Sequence, residues 1–258
     1  MSSVHQIIDG EGNFTNQLES FCTSCSKLSS KYTIVSVLGA QSSGKSTLLN
    51  CLFNTSFPEL NSNVGRRQTT LGLWMAQPQN VQNILVMDSE GTDGRERGDQ
   101  LVYERRFALF SLVLSNILIV NLWHNDIGRH NASNLSLLRS VLDANARLFL
   151  SNSASDASFP KRKIIFAIRD HIESATSLTV LERDLVKDIH KLWEDVAEKN
   201  ELTIPLETLF EFHSFGFPHK IIQEVEFNSH VDEFLTFLTS LSTGVKASLP
   251  IDGLFFVL

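Results

Sequence analysis

The sequence predicts an α/β fold, a doubly wound, mostly parallel sheet of about six or more strands flanked by helices. Three observations predict it. Short β-rich apolar runs alternate with stretches of helical periodicity, which is how βαβ units read in sequence. One such run, Tyr32–Leu38, passes directly into a glycine-containing turn that opens a helix. The 258 residues, 42% of them hydrophobic, are enough to bury one sizeable core.

The strands are expected at Tyr32–Leu38, Leu71–Ala76, Ile84–Met87, Ile117–Trp123 and Lys163–Ile168, with a sixth near Leu209–His213. They are nearly continuous in Val, Ile, Leu and Phe, as strands covered on both faces must be. Helices fit the intervals: one after Gly44, others over Asp99–Ser115, Ser133–Phe149, Leu178–Lys199 and His230–Leu241. In Leu178–Lys199, the residues Leu181, Leu185, Ile189, Leu192 and Val196 recur at helical spacing and mark the face that packs on the sheet. Ser151–Ser158 reads as a surface loop, and no internal repeat divides the chain. The organisation expected is an N-terminal segment over 1–30, one domain over 31–246, and a short piece over 247–258. The apolar end of that piece, Leu254–Leu258, reads either as the start of a following helical stalk or as a C-terminal tail docking as a last strand.

Composition excludes some classes of function. A net charge of -7 and a pI near 5.6 give no general field for nucleic acid or anionic lipid, so any phosphate binding must come from a local constellation. Cys22, Cys25 and Cys51 are an odd number in a large chain and read as free thiols in a reducing compartment; Cys22 and Cys25 lack the second pair that a zinc site needs. The N-terminus has no apolar stretch of a signal peptide, and no run reaches the roughly 18 apolar residues of a membrane span. The longest run, Phe107 to Trp123, is interrupted by Ser111, Ser115, Asn116 and Asn121 and reads as a buried helix feeding a buried strand. By itself the chain is expected to be soluble and cytoplasmic.

The chemistry is carried by Gly39-Ala40-Gln41-Ser42-Ser43-Gly44-Lys45-Ser46, a complete G-x-x-x-x-G-K-[ST] phosphate loop between a strand and a helix. Its backbone N–H groups, continued by Thr47, can curl around a β-phosphate with the helix N-terminus facing it. Lys45 would reach the β- and γ-phosphates and the Ser46 hydroxyl would hold Mg²⁺. At the end of Ile84–Met87 stands Asp88-Ser89-Glu90-Gly91, a D-x-x-G whose aspartate would hold a water of the Mg²⁺ and whose Gly91 amide would meet the γ-phosphate. Between the two lies Arg66-Arg67-Gln68-Thr69-Thr70-Leu71-Gly72. Thr70, with Thr69 in reserve, is the switch threonine that closes on Mg²⁺ and the attacking water.

Base choice is expected from Arg169-Asp170, at the end of Lys163–Ile168, where a carboxylate can accept from the guanine N1–H and exocyclic amine. Adenine offers no such donor pair, and an unpaired buried acceptor costs ~1–3 kcal/mol. A salt bridge at the strand end is the competing reading. Phe217-Pro218-His219-Lys220 would form the loop over the base, with Pro218 and His219 at the nucleotide. The polar cluster His124, Asn125, Asp126 and His130 reads as a helix-capping turn in preference to a metal site, with Asp126 or Asn131 as the cap. Trp74, Trp123 and Trp193 read as core or interface aromatics.

The strings GAQSSGKSTLLNCLF, GRRQTTLGLWMA, MDSEGTDGRERGDQ, NLWHNDIGRHNASNLSLLRSV, FAIRDHIES and FEFHSFGFPHKII, in that order, resemble the Root Hair Defective and Sey-type GTPases, dynamin-like relatives of atlastin. The resemblance covers about residues 20–255 and implies a P-loop GTPase head. It implies Lys45 and Ser46 at the phosphates, Thr70 in the first switch, Asp88 and Gly91 in the second, and Arg169 and Asp170 at guanine. It further implies a head that pairs with a second copy when nucleotide is bound and that fuses and shapes endoplasmic reticulum tubules from the cytosolic face. Membrane attachment would come only through the family's stalk and hairpin, segments absent from this chain.

Two departures bear on mechanism. Atlastin carries an arginine within the phosphate loop, and Ser42 stands there; Gln41-Ser42 is similar instead to the dynamin loop, where these residues organise water and transition-state charge. The expected catalytic set is therefore Gln41, Lys45, Thr70 and Gly91, with Arg66, Arg67, Arg95 and Arg97 as solvated loop charges or an arginine finger. The function expected is Mg²⁺-dependent GTP hydrolysis with water as nucleophile. The alternative is a non-hydrolysing, GTP-gated tether or partner-binding switch.

Overall fold

A computed structural model describes residues 2–25, 28, 32–40, 42–59, 72–89, 110–111, 114–128, 133–152 and 161–242. Within these, the strands are β1 Val4–Ile8, β2 Thr33–Gly39, β3 Leu73–Ala76, β4 Ile84–Ser89, β5 Ile117–Trp123, β6 Arg162–Arg169 and β7 Phe210–Phe217. They form one sheet in the order β1-β3-β4-β2-β5-β6-β7. Neighbours from β4 through β7 are parallel, while β3 runs antiparallel to β4 and β1 antiparallel to β3. The central strand β2 is buried along its whole length, which is why its sequence is an unbroken apolar run with only Thr33 and Ser36 polar before Gly39.

The helices are α1 Gln17–Ser24, α2 Lys45–Phe53, α3 Ser133–Asn152, α4 Leu178–Lys199, α5 Leu206–Leu209 and α6 Glu224–Ser242. Alternate residues of each strand serve opposite layers. Val35, Val37, Ile117 and Ile119 pack with Leu48 and Leu52 of α2 and with Phe227 and Phe234 of α6. Leu118, Val120, Leu122 and Phe166 face Leu138 and Leu142 of α3 and Leu185 and Ile189 of α4. A third cluster lies under α1, where Ile7, Phe21 and Cys25 meet Leu73 and Met75. Helices on both faces of a largely parallel sheet are the doubly wound α/β architecture that the alternation of runs predicts.

Several boundaries differ from expectation. The N-terminal segment contributes β1 and α1, neither of which was anticipated: β1 holds the sheet edge against β3, with a register shift between Gln6 and Ile8. Its outward groups are covered by the turn that follows, Gln17 Oε1 accepting from the Gln6 N–H at 2.9 Å and Ile7 O from the Thr15 N–H at 2.9 Å. Strand β7 runs on to Phe217, past the expected His213. Helix α6 begins at Glu224, ahead of the expected His230, because Glu224 and Glu226 sit in its first turn, where carboxylates favour the helix dipole, and Phe227 is fully buried there. The short α5 enters from Pro205. The helix expected over Asp99–Ser115 lies outside the described residues except for its end, where Phe110, Ser111 and Leu114 are helical.

Candidate nucleotide-binding site

The parallel strands β2 and β4 end together, Val37 of one in register with Asp88 of the other, and Gly39 of β2 lies in register with Asn121 of β5. The phosphate loop leaves from that point. A Cβ on Gly39 would stand 2.5 Å from the Asn121 carbonyl oxygen, so the close approach of loop and strand requires glycine. Gly44 caps α2 at φ +82°, and a Cβ there would come within 2.6 Å of Arg169 Nη1. Lys45 is the first residue of α2; its buried ammonium donates to the carbonyls of Gly39 at 3.1 Å and Ala40 at 3.0 Å. Folded over the loop in this way, it faces the hollow that the phosphates would occupy.

Ser46, the next residue, donates through Oγ to Asp88 Oδ2 at 2.6 Å. Asp88 is fully buried, and burial pushes its carboxyl up to about 6, with the Ser46 hydroxyl and the Lys45 ammonium acting in the opposite direction. Its other oxygen, Oδ1, has no hydrogen-bond partner. A buried carboxylate with one unmet oxygen beside a serine hydroxyl fits a hard, oxygen-seeking divalent cation and its water. Thr47 places its hydroxyl on Glu59 Oε2 at 2.8 Å, and Asn50 Nδ2 donates to Glu59 Oε1 at 2.7 Å. Glu59 was not singled out from sequence; its charge adds to the upward push on Asp88.

Arg169 ends β6 and is 6% exposed, its guanidinium 5.8 Å from the ring centres of both Trp123 and Phe227. Sequence placed Arg169 at guanine. Its Nη1 lies instead at the phosphate loop, 3.3 Å from Ser43 O and 3.3 Å from Gly44 O, in space left open by the missing Gly44 side chain. Burial lowers the Arg169 pKa, with the Asp170 carboxylate acting against that. Asp170 follows at φ +55°, a left-handed conformation that aspartate tolerates better than most residues and that turns it away from the strand line. The chain then returns to the sheet, His171 N–H donating to Phe217 O at 2.9 Å. Pro218 and His219 follow the end of β7, and His219 Nδ1 accepts from the Ile221 and Ile222 N–H groups at 3.2 Å each. That turn leaves Ile221, Ile222 and Val225 strongly exposed.

The loop, Asp88, Asp170 and Pro218-His219 all lie at the C-terminal ends of parallel strands, where open α/β sheets bind ligands. Gln41, Thr69, Thr70, Gly91, Arg66, Arg67, Arg95 and Arg97 lie outside the described residues. Ser42 is at φ +58° within the loop. His124–Asp126 form a single 3₁₀ turn after β5, and the His124 ring meets that of His171 edge-on at 5.6 Å. Sequence reading passed over Asn121, whose Nδ2 donates to Ser43 O at 2.7 Å from a fully buried position. The one available sign was a polar residue inside the apolar run before Trp123.

The family model described as "Root hair defective 3 GTP-binding protein (RHD3) GTPase domain" matches residues 38–256. The chain is 43% identical over 225 residues to Protein SEY1 homolog 2 of Entamoeba histolytica, covering 83% of this chain and 26% of that protein. It is 45% identical over 208 residues to the Protein SEY1 homolog of Dictyostelium discoideum, covering 78% and 23%. With Protein SEY1 of Chaetomium globosum the identity is 38% over 263 residues, 97% of this chain and 30% of that one. The chain thus spans roughly a quarter of the length of these relatives. Among solved structures, an Aquifex aeolicus Era variant bound to GDP·AlF4⁻ is similar at 18% identity and a TM-score of 0.42 over 86% of this chain and 60% of that one, a distant likeness on which no assignment rests.

Proposed function

This chain belongs to the root hair defective 3 GTPase domain family, and from that premise we propose that it is the guanine-nucleotide-binding head of a dynamin-like protein and hydrolyses GTP with Mg²⁺. The observation that carries the reading is the 2.6 Å contact between Ser46 Oγ and Asp88 Oδ2, which joins the phosphate-loop helix to the D-x-x-G strand across 42 residues of sequence.

In this reading the amides from Gly39 to Thr47 cradle the phosphates. Lys45 transfers its ammonium from the carbonyls of Gly39 and Ala40 to the β- and γ-phosphates. Ser46 and Asp88, with Thr70, hold the magnesium, which when bound neutralises charge between those phosphates. Gln41 and Thr70 orient the attacking water, and the Gly91 amide meets the γ-phosphate. The chemistry needs no covalent enzyme intermediate, so the protein's part is positioning and charge stabilisation. Asp170 accepts from the guanine edge, and Pro218-His219 close over the base.

At the level of the whole protein, we propose nucleotide-dependent pairing of two heads, in a protein that fuses and shapes endoplasmic reticulum tubules from the cytosolic face. The domain over 31–246 would do the nucleotide chemistry and the stretch over 247–258 would lead onward to a stalk. Single-turnover cleavage of GTP, with and without Mg²⁺, tests the catalytic reading: phosphate release that requires Mg²⁺ is expected. Tight GTP binding without release would make the head a GTP-gated tether.

A further inference from the structure

We propose that Asn121 is a positioning residue of the phosphate loop: its side-chain amide holds the Ser43 carbonyl into the core and so turns the Gly44 N–H toward the β-phosphate. The proposal rests on the nucleotide-binding reading above and extends it to a residue on the neighbouring strand. The chain has no cis peptide among the described residues, and in a trans peptide the C=O and the following N–H point in opposite directions. Whatever fixes the Ser43 carbonyl inward therefore fixes the Gly44 N–H outward. Asn121 Nδ2 does so at 2.7 Å, and Arg169 Nη1 assists at 3.3 Å.

The same residue sets the beginning of the loop. Gly39 lies in register with Asn121, and a Cβ on Gly39 would stand 2.5 Å from Asn121 O and 3.3 Å from Asn121 Cβ. One residue of β5 thus references both ends of the loop. A role in simple packing does not account for the choice of asparagine. Asn121 is 1% exposed, and its Oδ1 has no hydrogen-bond partner, so the position carries the cost of a buried unmet acceptor that leucine would avoid. What asparagine supplies and leucine lacks is the donor on Ser43. Donors fixed before the ligand arrives need no reorganisation when charge is bound.

The β-phosphate is common to GDP and GTP and absent from GMP, which gives the test its contrast. Asn121→Leu keeps the volume and removes the donor. Competition against a fluorescent GDP is expected to show GDP and a non-hydrolysable GTP analogue bound roughly 5- to 30-fold more weakly, with GMP unchanged. At saturating GTP the kcat should be kept while KM rises. Should Asn121→Leu fail to fold, Asn121→Ser, whose hydroxyl is too short to reach Ser43 O, is measured in the same way. Unchanged GDP affinity in the folded variant overturns the proposal, as does an equal loss of GDP and GMP, which would make Asn121 merely structural. Wild-type protein that does not bind GDP would instead overturn the nucleotide-binding reading itself.

Discussion

Arg169 Nη1 occupies the space that a Gly44 side chain would fill, 2.6 Å from where its Cβ would stand. The glycine of the phosphate loop and the arginine at the end of β6 are thus one packing unit, although 125 residues separate them in sequence. Gly44→Ala is expected to fail twice. It places a Cβ at φ +82°, at a cost of ~1–2 kcal/mol, and it pushes the guanidinium off Ser43 O and Gly44 O. Nucleotide affinity should fall by at least tenfold and the melting temperature should drop, as fluorescent-GDP titration and thermal unfolding would read. A variant with wild-type GDP affinity would mean that the loop does not need Arg169 where it lies.

The buried Asp88 makes the ligand-free protein's stability depend on pH in an unusual direction for a carboxylate. Its pKa is raised from 3.8 in an unfolded chain to about 6 in the fold, chiefly by burial. Below both values the two states are equally protonated. Between them the folded protein keeps a proton that the unfolded chain gives up, and the stability this group supplies at low pH is lost as pH rises through about 6, on the order of 3 kcal/mol in all. Asp88→Asn should therefore be more stable than wild type without nucleotide near pH 7.5, by a margin that shrinks toward about pH 4. It should lose Mg²⁺-dependent affinity for GTP at the same time. Thermal melts across that range decide it, and a margin independent of pH would contradict the assignment of cost to burial.

Much of this site is local in sequence and so was legible there. The phosphate loop is contiguous, its strand and helix flank it directly, and Asp88 ends an apolar run; period and motif suffice to find them. What escaped notice depends on partners far along the chain. Strand β1 is five residues with a register shift and acquires its meaning from β3, some 70 residues on. Asn121 looked like a break in an apolar run because nothing nearby showed that Ser43 O would lie 2.7 Å from its amide. Arg169 was visible beside Asp170, but the direction of its side chain is decided by Gly44, Trp123 and Phe227, none of them neighbours in sequence.

If Asp170 reads the base, exchanging its acceptor for an amide should change which purine is preferred. Asp170 stands at φ +55°, just past the β6 end, and asparagine tolerates that conformation as well as aspartate does, so the backbone should survive the change. Asp170→Asn presents a donor where xanthine carries an oxygen. GTP should bind at least tenfold more weakly and xanthosine triphosphate more tightly than in wild type. Competition binding with both nucleotides measures it, and an unchanged preference for GTP would move base recognition to another residue.

The final expectation concerns what covers the nucleotide face. Ser42 stands where atlastin has its loop arginine, and supplying such a cation is worth ~10³–10⁵ in rate. Help for the transition state must therefore come from elsewhere, and a second head packed across the nucleotide could supply it by ordering the switches and excluding water. The turn after β7 presents Ile221 at 84%, Ile222 at 79% and Val225 at 80% exposure, three apolar side chains beside the base loop on that same face. Light scattering should therefore give a monomer with GDP and a dimer with GDP–aluminium fluoride, and GTPase activity per head should rise with protein concentration. Ile221→Asp combined with Ile222→Asp should hold the protein monomeric in both states and flatten the concentration dependence while leaving GDP affinity unchanged, because neither side chain reaches the phosphate loop. A dimer that survives both substitutions would place the interface on another surface. A wild-type monomer in every nucleotide state, turning over at a rate independent of concentration, would show that the head completes its own transition state.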